Sequence, residues 1–349
     1  MTFSSRSLFL CIMVYLLFSA FAFAQDQETL VVVTHDSFSV SEEVLAQFEA
    51  STGVRVQILR AGDAGQMVNQ SILTKNNPLG DVLFGVDNTF LGRALDADLF
   101  VPYESLLLAE VDTAFIVDEQ HRVTPVDYGD VCLNYDVAYF AENDLPLPQT
   151  LRDLIDPIYR GLLVVQNPAT SSPGLAFLLA TIAEFGEEGE YTYTDFWIDL
   201  MANEVLITPG WSEAYFGYFT AGSEDGTYPL VVSYASSPPF TVDEESGKAA
   251  TASLVADGMC FRQIEFAGIL AGTPREETAR LFIDFLLDVP FQEDLPFQMY
   301  VFPVNPAAEL PDLFVEFAAV PENPVVMDVA LIDAGRAEWI QTWTEIALR

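Results

Sequence analysis

From Thr29 onward the chain alternates short apolar runs with amphipathic stretches, the rhythm of an open α/β sheet. Leu30-Val31-Val32-Val33 is a β-branched run that predicts a strand buried on both faces. Ser41 stands where a helix N-cap belongs, Val44, Leu45 and Phe48 follow at helical spacing, and Gly53 ends the stretch. Val54–Ile58 is the next predicted strand, a helix follows around Gln66–Leu73, and Asp81–Gly85 supplies a third strand. A second rhythm of the same kind starts near Leu133. Pro146 and Pro148 interrupt the chain, Leu151–Ile155 predicts a short helix, and Leu162–Val165 a strand. A helix opens at Pro173-Gly174 and runs through Ala183, another covers Thr194–Ala202, and Leu230–Tyr234 is a further buried strand. Beyond Thr241 strands and helices return, with helices predicted at Glu276–Leu287 and Asp333–Leu348. The chain therefore leaves a first lobe near Tyr128, builds a second, and returns near Ser236.

Ahead of this pattern lies a different one. Arg6 is the single charge among the first 24 residues, an apolar run extends from Leu8 to Ala24, and Ala22 and Ala24 form an A-x-A step before Gln25. Residues 1-24 thus have the build of a secretory signal peptide. The run is short for a bilayer span and no basic stop-transfer cluster follows it. Cys11 lies inside the apolar stretch rather than at a lipoprotein start. Cleavage leaves about 325 residues, enough for two lobes rather than one enlarged core.

Charge narrows the partners. Lys and Arg number 14 against 52 Asp and Glu, for a net charge of −38, and Lys75 and Lys248 are the only lysines. Such a surface repels nucleic acid and anionic membrane, because it cannot replace phosphate counterions. It draws cations toward any cleft; an acidic, lysine-poor surface also serves plain solvation in a salty habitat. Of the three cysteines, Cys132 and Cys260 remain after cleavage, and both a disulfide and two buried thiols are open to them.

Four segments gather polar and aromatic residues beside Gly or Pro just after predicted strands, where open α/β sheets place their ligands. Thr34-His35-Asp36-Ser37-Phe38 follows the first strand, and Asp63 stands in a loop after the second; helix capping accounts for these acids equally well. Asn167 to Gly174 offers three hydroxyls at a helix start, suited to an anion or a polar group, or simply to capping. Trp211 and Tyr215 stand four apart, on one face of a helix, and Tyr234 ends a lobe-two strand. A flat cationic ligand would stack on such rings. Catalytic and cofactor motifs are thin: two histidines, His35 and His121, and no metalloprotease, Cys-x-x-Cys, phosphate-loop or nucleophile-elbow spacing. No metal and no cofactor is expected.

Together these segments resemble the thiamine-binding proteins of bacterial ABC import systems, within the periplasmic binding protein class. The resemblance rests on Thr34–Phe38, Asp81–Asn88, Pro125–Gly129, Gln166–Leu175, Pro209–Tyr215 and Val231–Pro238, which read THDSF, DVLFGVDN, PVDYG, QNPATSSPGL, PGWSEAY and VVSYASSP. It implies an α/β, two-lobed clamshell of type II, with mostly parallel sheets flanked by helices and discontinuous lobes: 25-128 plus 237-349, and 129-236. It implies a monomeric, non-enzymatic receptor, periplasmic or extracytoplasmic, that delivers thiamine, thiamine monophosphate or thiamine diphosphate to an ABC transporter membrane permease. Carried across segment by segment, Trp211, Tyr215 and Tyr234 become ring contacts, and Ser171 and Ser172 candidates for the phosphate or hydroxyethyl end. Asp36 and Asp63 become candidates near the aminopyrimidine or thiazolium, the Asp63 loop reading AGDAG where the family has an acid followed by Gly. Tyr300 stands where family members carry a Trp, as a further stacking face. The alternatives are a receptor for another small cation, a polyamine or iron, and a thiaminase-like enzyme of the same fold using Cys132 as nucleophile; a sensor or chaperone subunit built on this clamshell is a third.

Overall fold

A computed structural model describes residues 27–348. The signal-peptide segment 1-24 lies outside the described residues. The first unit runs β1 (Thr29–Thr34), α1 (Glu42–Thr52), β2 (Arg55–Arg60), α2 (Ala64–Leu73), β3 (Val82–Asp87), α3 (Leu91–Asp96) and β4 (Phe100–Val101). The long β5 (Thr124–Asp136) leads through α4 (Val137–Glu142) to β6 (Leu163–Gln166), α5 (Ser172–Phe185), α6 (Tyr193–Ala202), β7 (Leu206–Thr208) and β8 (Leu230–Tyr234). The chain returns through β9 (Val242–Asp243), β10 (Lys248–Ala249) and β11 (Thr251–Leu254) to the long β12 (Phe261–Leu270). It finishes with α7 (Glu276–Leu287), α8 (Val289–Gln298), β13 (Phe302–Pro303), α9 (Asp312–Phe317) and α10 (Val329–Ala347).

The main sheet runs β2-β1-β3-β12-β5-β8-β6-β7. Parallel pairing, expected for most of the sheet, holds in the outer triplets β2-β1-β3 and β8-β6-β7. The middle is antiparallel: β12 pairs with β3 and β5, and β5 with β8. The reason is connectivity. Strands joined through one crossover helix run parallel, whereas β5 and β12 carry the chain between the triplets in opposite directions. Each triplet thus keeps its own βαβ direction, and two long strands join them.

Local chemistry fixes the ends of the elements. Ser41 caps α1 by accepting from the Val44 amide, and Gly53 closes it in the left-handed conformation at φ 73°. Asp63 caps α2, accepting from Ala64. α5 is buried along almost its whole length against the sheet, as its continuous apolar sequence requires. α10 packs on both α6 and α3, with Trp343 edge-on to Trp197 at 5.6 Å. Cys132 on β5 is disulfide-bonded to Cys260, the residue before β12, with Cα atoms 4.3 Å apart. Of the two states open in the sequence, the structure holds the bonded one, and it clamps the two long strands together.

Candidate functional site

The ends of the strands converge on one cavity of about 240 Å³. Its rim and one wall are aromatic. Trp211 opens a short helical turn, Trp211–Glu213, that runs into Ala214–Tyr218. The turn brings Trp211 and Tyr215 into a stack with centroids 5.0 Å apart and planes at 28°, the i and i+4 arrangement that their spacing predicts. Phe216 stands edge-on to Trp211 at 5.4 Å, and Tyr234 at 6.5 Å. The Trp211 indole N–H donates to Ser233 Oγ at 3.0 Å, which fixes the ring. Across the cavity Tyr300 meets Phe240 edge-on at 5.2 Å. Tyr300 holds φ at 56°, a left-handed conformation that a bulky residue keeps only where its surroundings impose it.

The floor is acidic. β5 and β12 pair so that Asp127 stands directly opposite Glu265, and Gly129 opposite Gln263. Residues two apart on a strand share a face, so all four present to the same side, and all four line the cavity. Gly129 is required there: a Cβ would come within 2.9 Å of the Tyr234 ring. Asp127 and Glu265 are buried, and Asp127 Oδ2, Glu265 Oε2 and Gln263 Oε1 have no hydrogen-bond donor. The Gln263 amide donates to the Tyr234 hydroxyl at 3.0 Å. His35, just past β1, lies 3.2 Å from Glu265 Oε1 as an ion pair without hydrogen-bond alignment. Its ring rests against Gly85 in β3, where any Cβ would collide with it.

Burial dominates the electrostatics. It pushes the Asp127 carboxyl well above the usual carboxylate range, and Glu265 beside it adds to the shift. It pushes Asp87, at the end of β3, up to about 6, although Ser172 and Thr89 donate to that carboxylate. Asp63 is raised by burial too, against the amides of Trp211 and Ala64 that it accepts from. Burial works against a charged His35, yet Glu265, Asp63 and Asp87 together hold it above its ordinary value. Tyr234 is driven well above 10 by burial with the same three acids around it.

Seven of the eight residues singled out from sequence line this cavity: Asp36, Asp63, Ser172, Trp211, Tyr215, Tyr234 and Tyr300. Ser171 does not. It is fully buried behind the wall with its hydroxyl beside Asp63. Ser172, expected at a phosphate or hydroxyethyl end, already donates to Asp87. Asp36 accepts from the Gly62 amide at 3.2 Å and Asp63 from the Trp211 amide at 3.0 Å. Both acids thus serve structure as well as facing the cavity. Sequence reasoning placed His35 in a crevice-facing segment without giving it a role, and missed Phe216, Phe240, Asp127, Gln263 and Glu265. For Asp127 and Glu265 a signal existed: each is an acid inside an otherwise apolar run, PVDYG and QIEFAG.

Cys132 is fully buried and its sulfur is bonded to Cys260, so it is no nucleophile in this structure. Among the described residues no group of three or more His, Cys, Asp or Glu is placed to hold a metal ion. None of the described helices is long and apolar enough to cross a membrane.

Comparison with known proteins agrees with this architecture. Residues 77–316 match the family model of bacterial extracellular solute-binding proteins. The thiamine-binding periplasmic protein of Salmonella typhimurium is 29% identical over 96% of this chain and 97% of its own. A solved periplasmic thiamin binding protein superposes with a TM-score of 0.81 at 28% identity, covering 93% of this chain and 98% of that one. Iron-bound HitA of Pseudomonas aeruginosa shares the fold, with a TM-score of 0.72 at 20% identity over 91% of this chain and 99% of its own. The fold is thus that of periplasmic binding proteins, a mixed sheet flanked by helices.

Proposed function

Because this chain belongs to the bacterial extracellular solute-binding protein family, we propose that it captures thiamine, or a thiamine phosphate, outside the cytoplasm and hands it to an ABC transporter membrane permease. One observation carries the reading: an aromatic wall of Trp211, Tyr215 and Tyr234 stands over a floor of buried carboxylates in a single cavity. Thiamine has two flat rings and a permanent thiazolium charge. Rings gain stacking and cation–π attraction from the wall, and the positive charge is attracted by the excess of acids over His35 on the floor. The thiamine-named relatives cover nearly the whole chain at 28–29% identity, against 20% for the iron-bound neighbour, and they support this ligand over a polyamine or iron. A polyamine would leave the flat wall unused.

Export by the segment 1-24 and a monomeric state belong to the same reading, as does a binding rather than catalytic role. Residues 25-128 plus 237-349 would form one lobe and 129-236 the other, closing on the ligand about β5 and β12. The bonds Ser37–Ser212, Asp63–Trp211 and Asp87–Ser172 span those segments and support a closed arrangement. Closure would then present the loaded form to the permease.

The test is calorimetric titration of the mature protein, unfolded and refolded to strip ligand, against thiamine, thiamine monophosphate and putrescine. Saturable binding of a thiamine compound, absent with putrescine, is the expected result. No heat and no thermal shift with either thiamine compound, from refolded protein, would sink the assignment.

A further inference from the structure

The cavity has one source of positive charge of its own. Among the described residues His35 is the only side chain lining it that can be a cation; no arginine or lysine does so. The arginines of the adjoining strands are engaged elsewhere. Arg262 on β12 pairs with Asp130 at 2.6 Å, and Arg60, at the end of β2, donates to the Phe38 carbonyl at 3.0 Å. His35 is buried just past β1, with Nε2 3.2 Å from Glu265 Oε1. That nitrogen has no aligned hydrogen bond, so charge alone ties the two.

The acids around His35 differ in how they are held. Asp63, at the start of α2, accepts from the Ala64 and Trp211 amides. Asp87, at the end of β3, accepts from Ser172 and from the amide and hydroxyl of Thr89. Asp36, in the loop of His35 itself, accepts from the Gly62 amide. Asp127 on β5 faces Glu265, and two carboxylates so placed do not both ionise. Burial and Glu265 push the Asp127 carboxyl well above the usual range, so it keeps its proton. Set between Asp127 Oδ2 and Glu265 Oε2, that proton serves two oxygens otherwise without a donor. Tyr234, at the end of β8, is driven well above 10 and stays neutral. Glu265 is thus left as the charged member of the facing pair, with His35 as its counter-ion at Oε1.

We propose that protonated His35 is the resident counter-ion of Glu265, and that the ligand's thiazolium takes over this charge while one ring proton of His35 passes to solvent. Resting on the thiamine reading and deepening it, this sets the thiazolium beside Glu265. It makes His35 the residue that selects a permanent cation over a neutral ring of the same shape. One positive charge enters and one leaves, so Asp127 keeps its proton and the facing pair carries a single negative charge throughout. Asp36, Asp63 and Asp87 already have donors, so the charge open to an incoming cation is that of Glu265. Two cations in one buried cavity repel. His35, which the acids hold above its ordinary value in the ligand-free protein, therefore gives up its proton. Below that value thiamine must displace a proton, and its affinity falls on acidification; above it the ring is already neutral and the affinity levels off. A neutral ring leaves His35 charged.

Calorimetric titration of the mature, ligand-stripped protein compares thiamine with its isostere in which a thiophene replaces the thiazolium and the aminopyrimidine is kept. Runs from pH about 6 to about 8 in buffers of different ionisation enthalpy count the protons. Thiamine should release up to about one proton per molecule bound, and its affinity should gain up to about tenfold per pH unit before levelling off. The isostere should release none and hold one affinity across the range. In His35→Gln the proton release and the pH slope of thiamine should vanish. A slope that survives in folded His35→Gln assigns the proton to an acid and overturns the proposal, as does a wild-type slope that the isostere shares. Should the variant not fold, NMR of the wild-type protein decides. The chain has two histidines, and His121 stands beside Glu104. Thiamine, but not the isostere, should lower the titration midpoint of the His35 ring; a midpoint that thiamine leaves unmoved overturns the proposal. In all these outcomes thiamine binds and the receptor reading stands. No binding of thiamine by folded wild-type protein overturns that reading, and the role of His35 with it.

Discussion

The two sides of the cavity are built in opposite ways. The aromatic wall is mostly local: Trp211, Tyr215 and Phe216 lie within six residues, with Tyr215 stacked on Trp211 and Phe216 edge-on to it, and Tyr234 joins them from β8. The acidic floor is assembled from afar, with His35, Asp63, Asp87, Asp127 and Glu265 each arriving from a different segment. The wall offers area, and area is tolerant: one flat ring stacks much like another. The floor offers fixed acceptors on paired strands, and a misplaced donor or charge there has no water to relieve it. On the proposed reading affinity would come from a turn, and discrimination from the sheet, the more rigid of the two supports.

The largest effect should come from loosening the support of the floor while leaving the wall intact. The Cys132–Cys260 bond closes a separation of 128 residues, and on the chain-entropy account such a loop is worth about 5 kcal/mol. Replacing both cysteines by serine should lower stability by that order in denaturant unfolding. If the midpoint barely moves, β5 and β12 are held by pairing alone, and the contrast between a stapled floor and a free-standing wall fails.

The next effect comes from pH. A buried acid whose carboxyl stands higher in the folded than in the unfolded chain favours folding when protonated, and that contribution is lost as pH rises through the window between the two values. For Asp87 the window runs from the ordinary 3.8 to about 6, on the order of 3 kcal/mol at 1.36 kcal/mol per unit. Asp63 and Asp127 shift in the same direction. His35, raised as well, also stabilises at low pH and loses that contribution as pH climbs past its folded value. The ligand-free protein should therefore melt at a higher temperature at pH about 5 than at about 7, with a smaller difference in Asp87→Asn. Exposed carboxylates held low by neighbouring bonds, such as Glu204 with Arg160, act the other way but are screened by water. A melting temperature that falls on acidification would show that the floor does not govern the pH response.

On the wall side, Trp211→Ala should weaken thiamine binding by about 2 kcal/mol, roughly thirtyfold, while Trp211→Phe retains most of it. Melting of the ligand-free protein should change little, because Trp211 is only partly buried. Equal loss in both variants would place the energy in the indole N–H bond to Ser233 rather than in stacking.

The contrast between wall and floor also decides how much was legible beforehand. Helices and parallel strands emerged from periodicity because each is a local pattern: the helix expected at Glu276–Leu287 is α7 to the residue, and β8 matches Leu230–Tyr234. The wall residues Trp211, Tyr215 and Tyr234 stood out because glycine, proline and aromatics cluster in the chain. The two long antiparallel strands were not individually drawn from the pattern, since β5 carries Pro125, Asp127, Gly129 and Asp130 and β12 carries Arg262, Gln263 and Glu265. Polar residues inside a strand look like interruptions until the strand opposite is known. The facing of Asp127 and Glu265 is a fact of register, and register is set by pairing partners more than a hundred residues away, so no local window contains it. Ser171 lies off the cavity lining for a related reason: at a helix start a one-residue step separates a side chain on the lining from one buried beside it.

The smallest predicted effect sharpens the comparison where wall and floor meet. Ser37, in the loop after β1, and Ser212, in the aromatic turn, share a hydrogen bond of 3.2 Å at the exposed mouth of the cavity. Deeper in, the Asp63 carboxylate accepts from the Trp211 amide at 3.0 Å. Both bonds end on the aromatic turn, one from the loop after β1 and the other from the start of α2, but one is exposed and neutral and the other is shielded and involves an acid. Water competes for the first and not for the second. Ser37→Ala should therefore speed ligand release by only about two- to threefold, in line with roughly 0.5 kcal/mol for an exposed neutral bond. Asp63→Asn, which keeps an acceptor but removes charge, should exceed it in stopped-flow dissociation. A larger effect from Ser37→Ala would mean that closure is governed at the mouth, and the division between an affinity-giving wall and a discriminating floor would then need a third part.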